Sequence, residues 1–184
     1  MIEIQTENFS AIKRKLTALL KEHHVRLVYP LPTMKWIVLT NAAGNRIRRR
    51  KSTKKRKLTD IYDELVRIPS LINEEKFTLE VLLVEEEEIR CDDGKGSWRR
   101  KGISIRDRKL LNVLGSMLFE NSKDFLDLLP PNLLQPFSSR SLAKQARVSI
   151  RQARRMAYCF KKMGMIEEVE KRGRQPLYQI SFQG

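Results

Sequence analysis

A chain of 184 residues holds one ordinary domain or two small ones, and its 41% hydrophobic content is enough for a packed core. Lys and Arg number 37 against 22 Asp and Glu, a formal charge of +15 that exceeds what solubility needs and makes a polyanion, nucleic acid first, the expected partner. No apolar run is long enough to span a bilayer, Met1 to Gln5 lacks the basic-then-apolar order of a secretion signal, and two cysteines form neither a disulfide framework nor a zinc cluster, so we expect a cytoplasmic protein with no membrane contact and no resident cofactor.

Ile2 to Thr6 alternates as a strand does, Ala11, Ile12, Leu16, Leu19 and Leu20 recur at helical spacing behind the polar Asn8-Phe9-Ser10, and Val25 to Tyr29 is a short apolar run closed by Pro30. The pattern predicts a β-α-β unit. Trp36 to Thr40 and Asn45 to Arg49 flank Asn41-Ala42-Ala43-Gly44, which suits a hairpin turn because Gly and Asn tolerate positive φ. The cations crowded from Arg46 to Lys57 repel one another and predict a mobile basic loop, whose Arg48, Arg49, Arg50 and Lys51 are candidates to follow a nucleic-acid backbone.

Ile61, Leu65 and Val66 predict a short helix ending before Pro69, with Asp60, Asp63 and Glu64 favoured by its dipole. Thr78 to Val84 reads as a strand, and Glu85 to Glu88 as an acidic run making surface ion pairs with the basic tracts rather than a metal site. Asp92 to Gly96 is a turn returning the chain through Trp98 and Ile103 to Ile105, and its Gly94-Lys95-Gly96-Ser97 lacks the full glycine spacing of a phosphate loop. His23-His24 has no carboxylate or nucleophile at motif spacing. From Asp107 onward Leu110, Leu111, Leu114 and Leu118 predict a helix, a second short one runs from Ser122 through Leu129, and Pro130-Pro131 opens a linker reaching Pro136.

Ser138 is placed to cap a helix whose Leu142, Ala143 and Ala146 pack inward, and Ser149 to cap the next after a break at Arg147-Val148. In that second helix Ala153, Met156, Ala157, Phe160 and Met163 form an apolar face, while Arg151, Arg154, Arg155, Tyr158, Lys161 and Lys162 lie opposite. Gly164 suits the positive φ that ends a helix, and Met165 to Glu170 and Leu177 to Ile180 predict two strands about a basic turn. The order from Phe137 to Phe182, with Leu142-Ala143-Lys144, Ala157-Tyr158, Met163-Gly164 and Arg172-Gly173-Arg174, resembles the winged helix-turn-helix family. That resemblance implies that Arg151, Gln152, Arg154 and Arg155 read bases in the major groove, with Tyr158 beside them, and that Lys144, Lys171, Arg172 and Arg174 meet phosphates.

On the first strand Glu3 and Gln5 project from one face. This stretch resembles the third motif of restriction-endonuclease-like folds, the PD-(D/E)XK group, and the Glu80 to Glu88 and Gly96 to Gly102 stretches resemble uncharacterised bacterial proteins that pair such a region with a winged helix. The resemblance implies Glu3 as a ligand of Mg²⁺ and Gln5 as a residue positioning water, both catalytic. The chain begins at that third motif, which leaves three alternatives: a shortened member, a second chain or homodimer partner supplying the missing strand, or a plain β-α-β unit. No catalysis by the chain alone is expected, and Mg²⁺ enters only with the nuclease reading.

The sequence therefore predicts an α+β protein: a small mixed α/β region over 1–105, and over 106–184 a winged helix-turn-helix with preceding helices. Double-stranded DNA is the expected partner. A metal-dependent nuclease or nuclease subunit, a winged helix used for protein contacts, and an RNA binder are the alternatives.

Overall fold

The structure, a computed structural model, describes residues 1–181. The chain mixes α and β structure and divides into two compact units, one of Met1–Tyr29, Thr59–Glu80 and Leu118 onward, the other of Pro30–Leu58 and Val81–Met117. The boundary expected at 105/106 falls inside a strand, β5 (Ile103–Phe119). Phe182, where the expected C-terminal module ends, lies outside the described residues.

In the first unit β1 (Ile2–Ile4) runs parallel to the start of β2 (Val25–Thr40), with Glu3 opposite Leu27, and α1 (Phe9–Leu19) connects them. This is the β-α-β unit that the apolar spacing predicts. Phe9 and Leu16 are fully buried, and the Phe9 ring meets Tyr29 edge-on at 5.2 Å, the favoured aromatic geometry. A 3₁₀ turn at Leu58–Ile61 leads into α2 (Tyr62–Leu65), and a second follows at Pro69–Asn73. A longer 3₁₀ stretch, Ser122–Leu128, stands where a short helix is predicted; the residue capping it is Asn121, not Ser122, in a reciprocal pair with Asp124. Tyr62 ties these pieces together, its ring 5.5 Å from Phe160 and 6.5 Å from Phe125.

In the second unit β3 (Arg46–Lys51) pairs antiparallel with the far end of β2, and β4 (Phe77–Asp92) lies between β2 and β5 in the sheet order. Two sequence expectations change here. Arg46 to Lys51 is a strand rather than a mobile loop, because β2 supplies ladder partners and Glu87 supplies countercharge: Arg49 donates to Glu87 at 2.8 Å and stacks 3.9 Å over Trp36. Residues 107–118 belong to β5, not to a helix. Leu110, Leu111, Leu114 and Leu118 are 42–62% exposed, so their three- and four-residue spacing reports no buried helical face.

Among the described residues no helix is long and apolar enough to cross a membrane.

Candidate nucleic-acid interface

The candidate site lies in the C-terminal part of the first unit and begins with two serine caps. Ser138 accepts from the backbone N–H of Ser141 while Ser141 returns a bond to Ser138, fixing the start of α3 (Ser139–Ala146). The helix stops at Arg147, which takes φ +52° and donates its N–H to the last carbonyls. Ser149 then accepts from Gln152 N at 3.1 Å and starts α4 (Ile150–Lys162). Gly164 follows at φ +76°, the conformation its position requires.

The chain continues as β6 (Ile166–Arg172) and β7 (Gln175–Ile180), paired antiparallel about Gly173-Arg174, with Gly173 at φ +60°. Phe137, just before α3, exchanges two backbone hydrogen bonds with Tyr178 on β7, at 2.8 and 2.7 Å. The hairpin is thereby tied to the chain entering α3.

Helical geometry turns each residue by roughly 100°. Gln152, Ala153, Met156, Ala157, Cys159 and Phe160 are consequently buried, while Arg151, Arg154, Tyr158, Lys161 and Lys162 are exposed. Between α4, the first turn of α3 and the hairpin lies a cleft of about 770 Å³. Arg154, Tyr158 and Lys161 line it from α4, Arg140 from α3, and Arg172 and Arg174 from the hairpin; among the described residues no carboxylate lines it. Of these five cations Lys161 and Arg172 are paired with Glu168 and Glu170 outside the lining, while Arg140, Arg154 and Arg174 keep the concavity positive, which favours occupation by an anion.

Arg154, Tyr158, Arg172 and Arg174 are thus brought together as the sequence predicts. Arg151 and Lys144 are exposed on α4 and α3 outside the cleft lining, and Lys171 is exposed on β6 with Glu168 at 3.6 Å. Gln152 is corrected: it is 7% exposed, and its side-chain amide donates to the Thr59 carbonyl at 2.5 Å, so it holds α4 in place instead of facing solvent. Arg155 is corrected too, being half-buried and paired with Asp63 on α2. Both lie at the margin of the apolar face, where a tertiary partner outcompetes solvent.

The sequence reading missed Arg140. Its signal was a cation in a first helical turn, where the dipole disfavours one unless an anion is near. Lys161 donates to Glu168 at 2.9 Å; that hydrogen bond raises the Lys161 pKa and lowers that of Glu168. Burial pushes the Cys159 thiol up to about 12, with Arg155 acting weakly the other way, so Cys159 is a packing residue rather than a nucleophile.

Glu3 and Gln5, the pair singled out by the nuclease resemblance, each have local partners. Glu3 is bound by Lys15 at 2.7 Å, and Gln5 donates to the carbonyls of Glu7 and Asn8. Among the described residues no group of three or more His, Cys, Asp or Glu side chains converges. Arg48, Arg50 and Lys51 are exposed on β3, in the second unit, whereas Arg49 is engaged by Trp36 and Glu87.

The acidic run makes the ion pairs expected of it, Glu86 and Glu88 with Lys35, Glu87 with Arg49 and Glu88 with Arg90, but not all of them at the surface. Glu85 accepts from the Trp36 indole at 2.6 Å, Glu86 pairs with Lys35, and Glu88 is only 3% exposed.

With this geometry in place, comparison with known proteins gives the class. The chain belongs to the family described as a domain of unknown function, DUF8091, whose model matches residues 1–120 and so ends where β5 ends. It is 34% identical over 179 residues to an uncharacterized protein of Treponema pallidum (strain Nichols), an alignment covering 97% of this chain and 70% of that relative. The similarity therefore extends through the α3-α4-hairpin region beyond residue 120. No solved structure matches the chain.

Proposed function

We propose that this protein binds double-stranded DNA through a winged helix-turn-helix formed by α3, α4 and the β6-β7 hairpin. The observation that carries the reading is the acid-free cationic cleft of Arg140, Arg154, Lys161, Arg172 and Arg174. The two-bond link between Phe137 and Tyr178 supports it, because it gives the hairpin the short third strand expected of a wing. In this reading α4 enters the major groove, Arg151 and Arg154 reach base edges, Tyr158 packs beside them, and Arg172 and Arg174 hold the flanking backbone. Lys144, Lys171 and the exposed Arg48, Arg50 and Lys51 add backbone affinity that falls with salt and carries no sequence information.

The test is competition binding of the full chain and its variants to a labelled duplex. Arg154→Gln is expected to weaken binding by about tenfold, the effect of losing one charge-assisted contact. Arg49→Gln, which removes a side chain already engaged by Glu87, is expected to leave it nearly unchanged. Equal affinity for wild type and Arg154→Gln contradicts the reading. Stronger displacement by single-stranded RNA than by duplex DNA transfers it to RNA.

A further inference from the structure

The second unit contains a cationic cleft of which the DNA reading uses Arg50 alone, as a backbone contact. It encloses about 510 Å³, within the size range of small-molecule sites, and is lined by Lys35, Arg50, Lys54, Arg56, Arg90 and Arg100. Ser52, Thr53 and the apolar Pro32, Ile37 and Ile105 complete the wall, and among the described residues Glu88 is the one acid lining it.

Glu88 makes this a built site rather than a chance gathering of surface charge. Its side chain is 4% exposed, and it takes Lys35 at 3.1 Å, Arg90 at 2.7 Å and Arg108 at 3.6 Å. Lys35 is held from a second direction by Glu86 at 2.6 Å. Lys35 and Arg90 are consequently fixed with only 22% and 25% of their side chains exposed. A half-buried cation of fixed geometry loses little entropy when an anion arrives, unlike a flexible surface lysine. Glu86 and Glu88 engage Lys35 and Arg90, and the further lining cations Arg50, Lys54 and Arg100 leave the cleft positive, so a ligand carrying several negative charges matches it. Guanidinium forks and hydroxyls together suit tetrahedral oxyanions.

We infer that this cleft is a phosphate-binding site for a multiply charged phosphate group, carried either by a small polyphosphate such as a nucleotide or by the phosphorylated end of a nucleic-acid strand. The inference does not rest on the winged-helix reading, since no residue of α3, α4 or the hairpin lines the cleft.

The test is isothermal titration of the full chain with tripolyphosphate, with ATP, and with a short oligonucleotide bearing either a 5′-phosphate or a 5′-hydroxyl. Variants avoid the pair buried with Glu88 and use the rim: Arg50→Gln and Lys54→Gln, with Lys13→Gln on α1, which lines neither cationic cleft, as the control. Saturable tripolyphosphate binding, weakened about tenfold by each rim variant and unchanged by Lys13→Gln, is the expected result. Competition by ATP assigns the small-molecule source, and competition by the 5′-phosphorylated oligonucleotide but not its 5′-hydroxyl form assigns the strand end. Absent binding at low salt, or binding that the rim variants leave intact, overturns the inference. Unchanged circular-dichroism melting of the variants shows that any loss comes from the site.

Discussion

Two side chains let individual interactions be weighed. The Tyr62 hydroxyl is buried with no hydrogen-bond partner among the described residues, and burial first, with Cys159 adding to it, drives its pKa well above the ordinary value. A buried donor left unmade costs about 1–3 kcal/mol, whereas the ring packs against Phe125 and Phe160. Tyr62→Phe is therefore expected to raise stability by about 1 kcal/mol, read as a higher urea midpoint at unchanged slope. Glu88 works in the opposite sense. Burial opposes its ionisation, but hydrogen bonds from Arg90 and Lys35 and their charges prevail and hold its pKa below the ordinary value. A lowered folded-state pKa gives stability that is present above the unfolded value of about 4.3 and is lost as pH falls through the folded one. Thermal stability should thus decline from about pH 4.3 downward, and Glu88→Gln should flatten that decline while destabilising the protein at neutral pH, where Lys35 and Arg90 lose their countercharge.

At the scale of elements, α3, α4 and the hairpin rest on local signals. Gly164 is at φ +76° with open space around the missing Cβ, so Gly164→Ala meets backbone strain alone and should cost about 1 kcal/mol in chemical denaturation. These were the legible parts of the fold: Ser138, Ser149 and Gly164 are caps written in residue type, and the apolar faces of α1 and α4 follow the helical period. β5 was not legible. A strand with many exposed residues carries no alternation of burial, and its leucines happen to fall at helical steps. β3 was legible as the second arm of a hairpin about Asn41 to Gly44 but misread as mobile, since charge density alone predicts repulsion, and the compensating Glu87 is distant in sequence. The same limit governs the site. Arg154 and Arg174 could be read from periodicity and turn chemistry, but the bonds that remove Gln152 and Arg155 run to Thr59 and Asp63, about which the helix itself says nothing.

For the molecule as a whole, the excess of 37 basic over 22 acidic residues is partly spent internally: Glu3, Glu80, Glu86, Glu87, Glu88 and Asp63 all hold cations. In the C-terminal cleft Glu168 and Glu170 engage Lys161 and Arg172, so Arg140, Arg154 and Arg174 chiefly carry the DNA reading, and each phosphate neutralised should contribute about −0.9 to the slope of log affinity against log salt. The most direct measurement is fluorescence anisotropy of the full chain with a labelled duplex of about 30 base pairs over a salt series, for wild type and for Arg154→Gln with Arg174→Gln. We expect tight binding at low salt, a steep wild-type slope, and a slope shallower by about 2 in the double variant. A slope near zero, or one identical in wild type and double variant, contradicts the proposal that this cleft binds DNA.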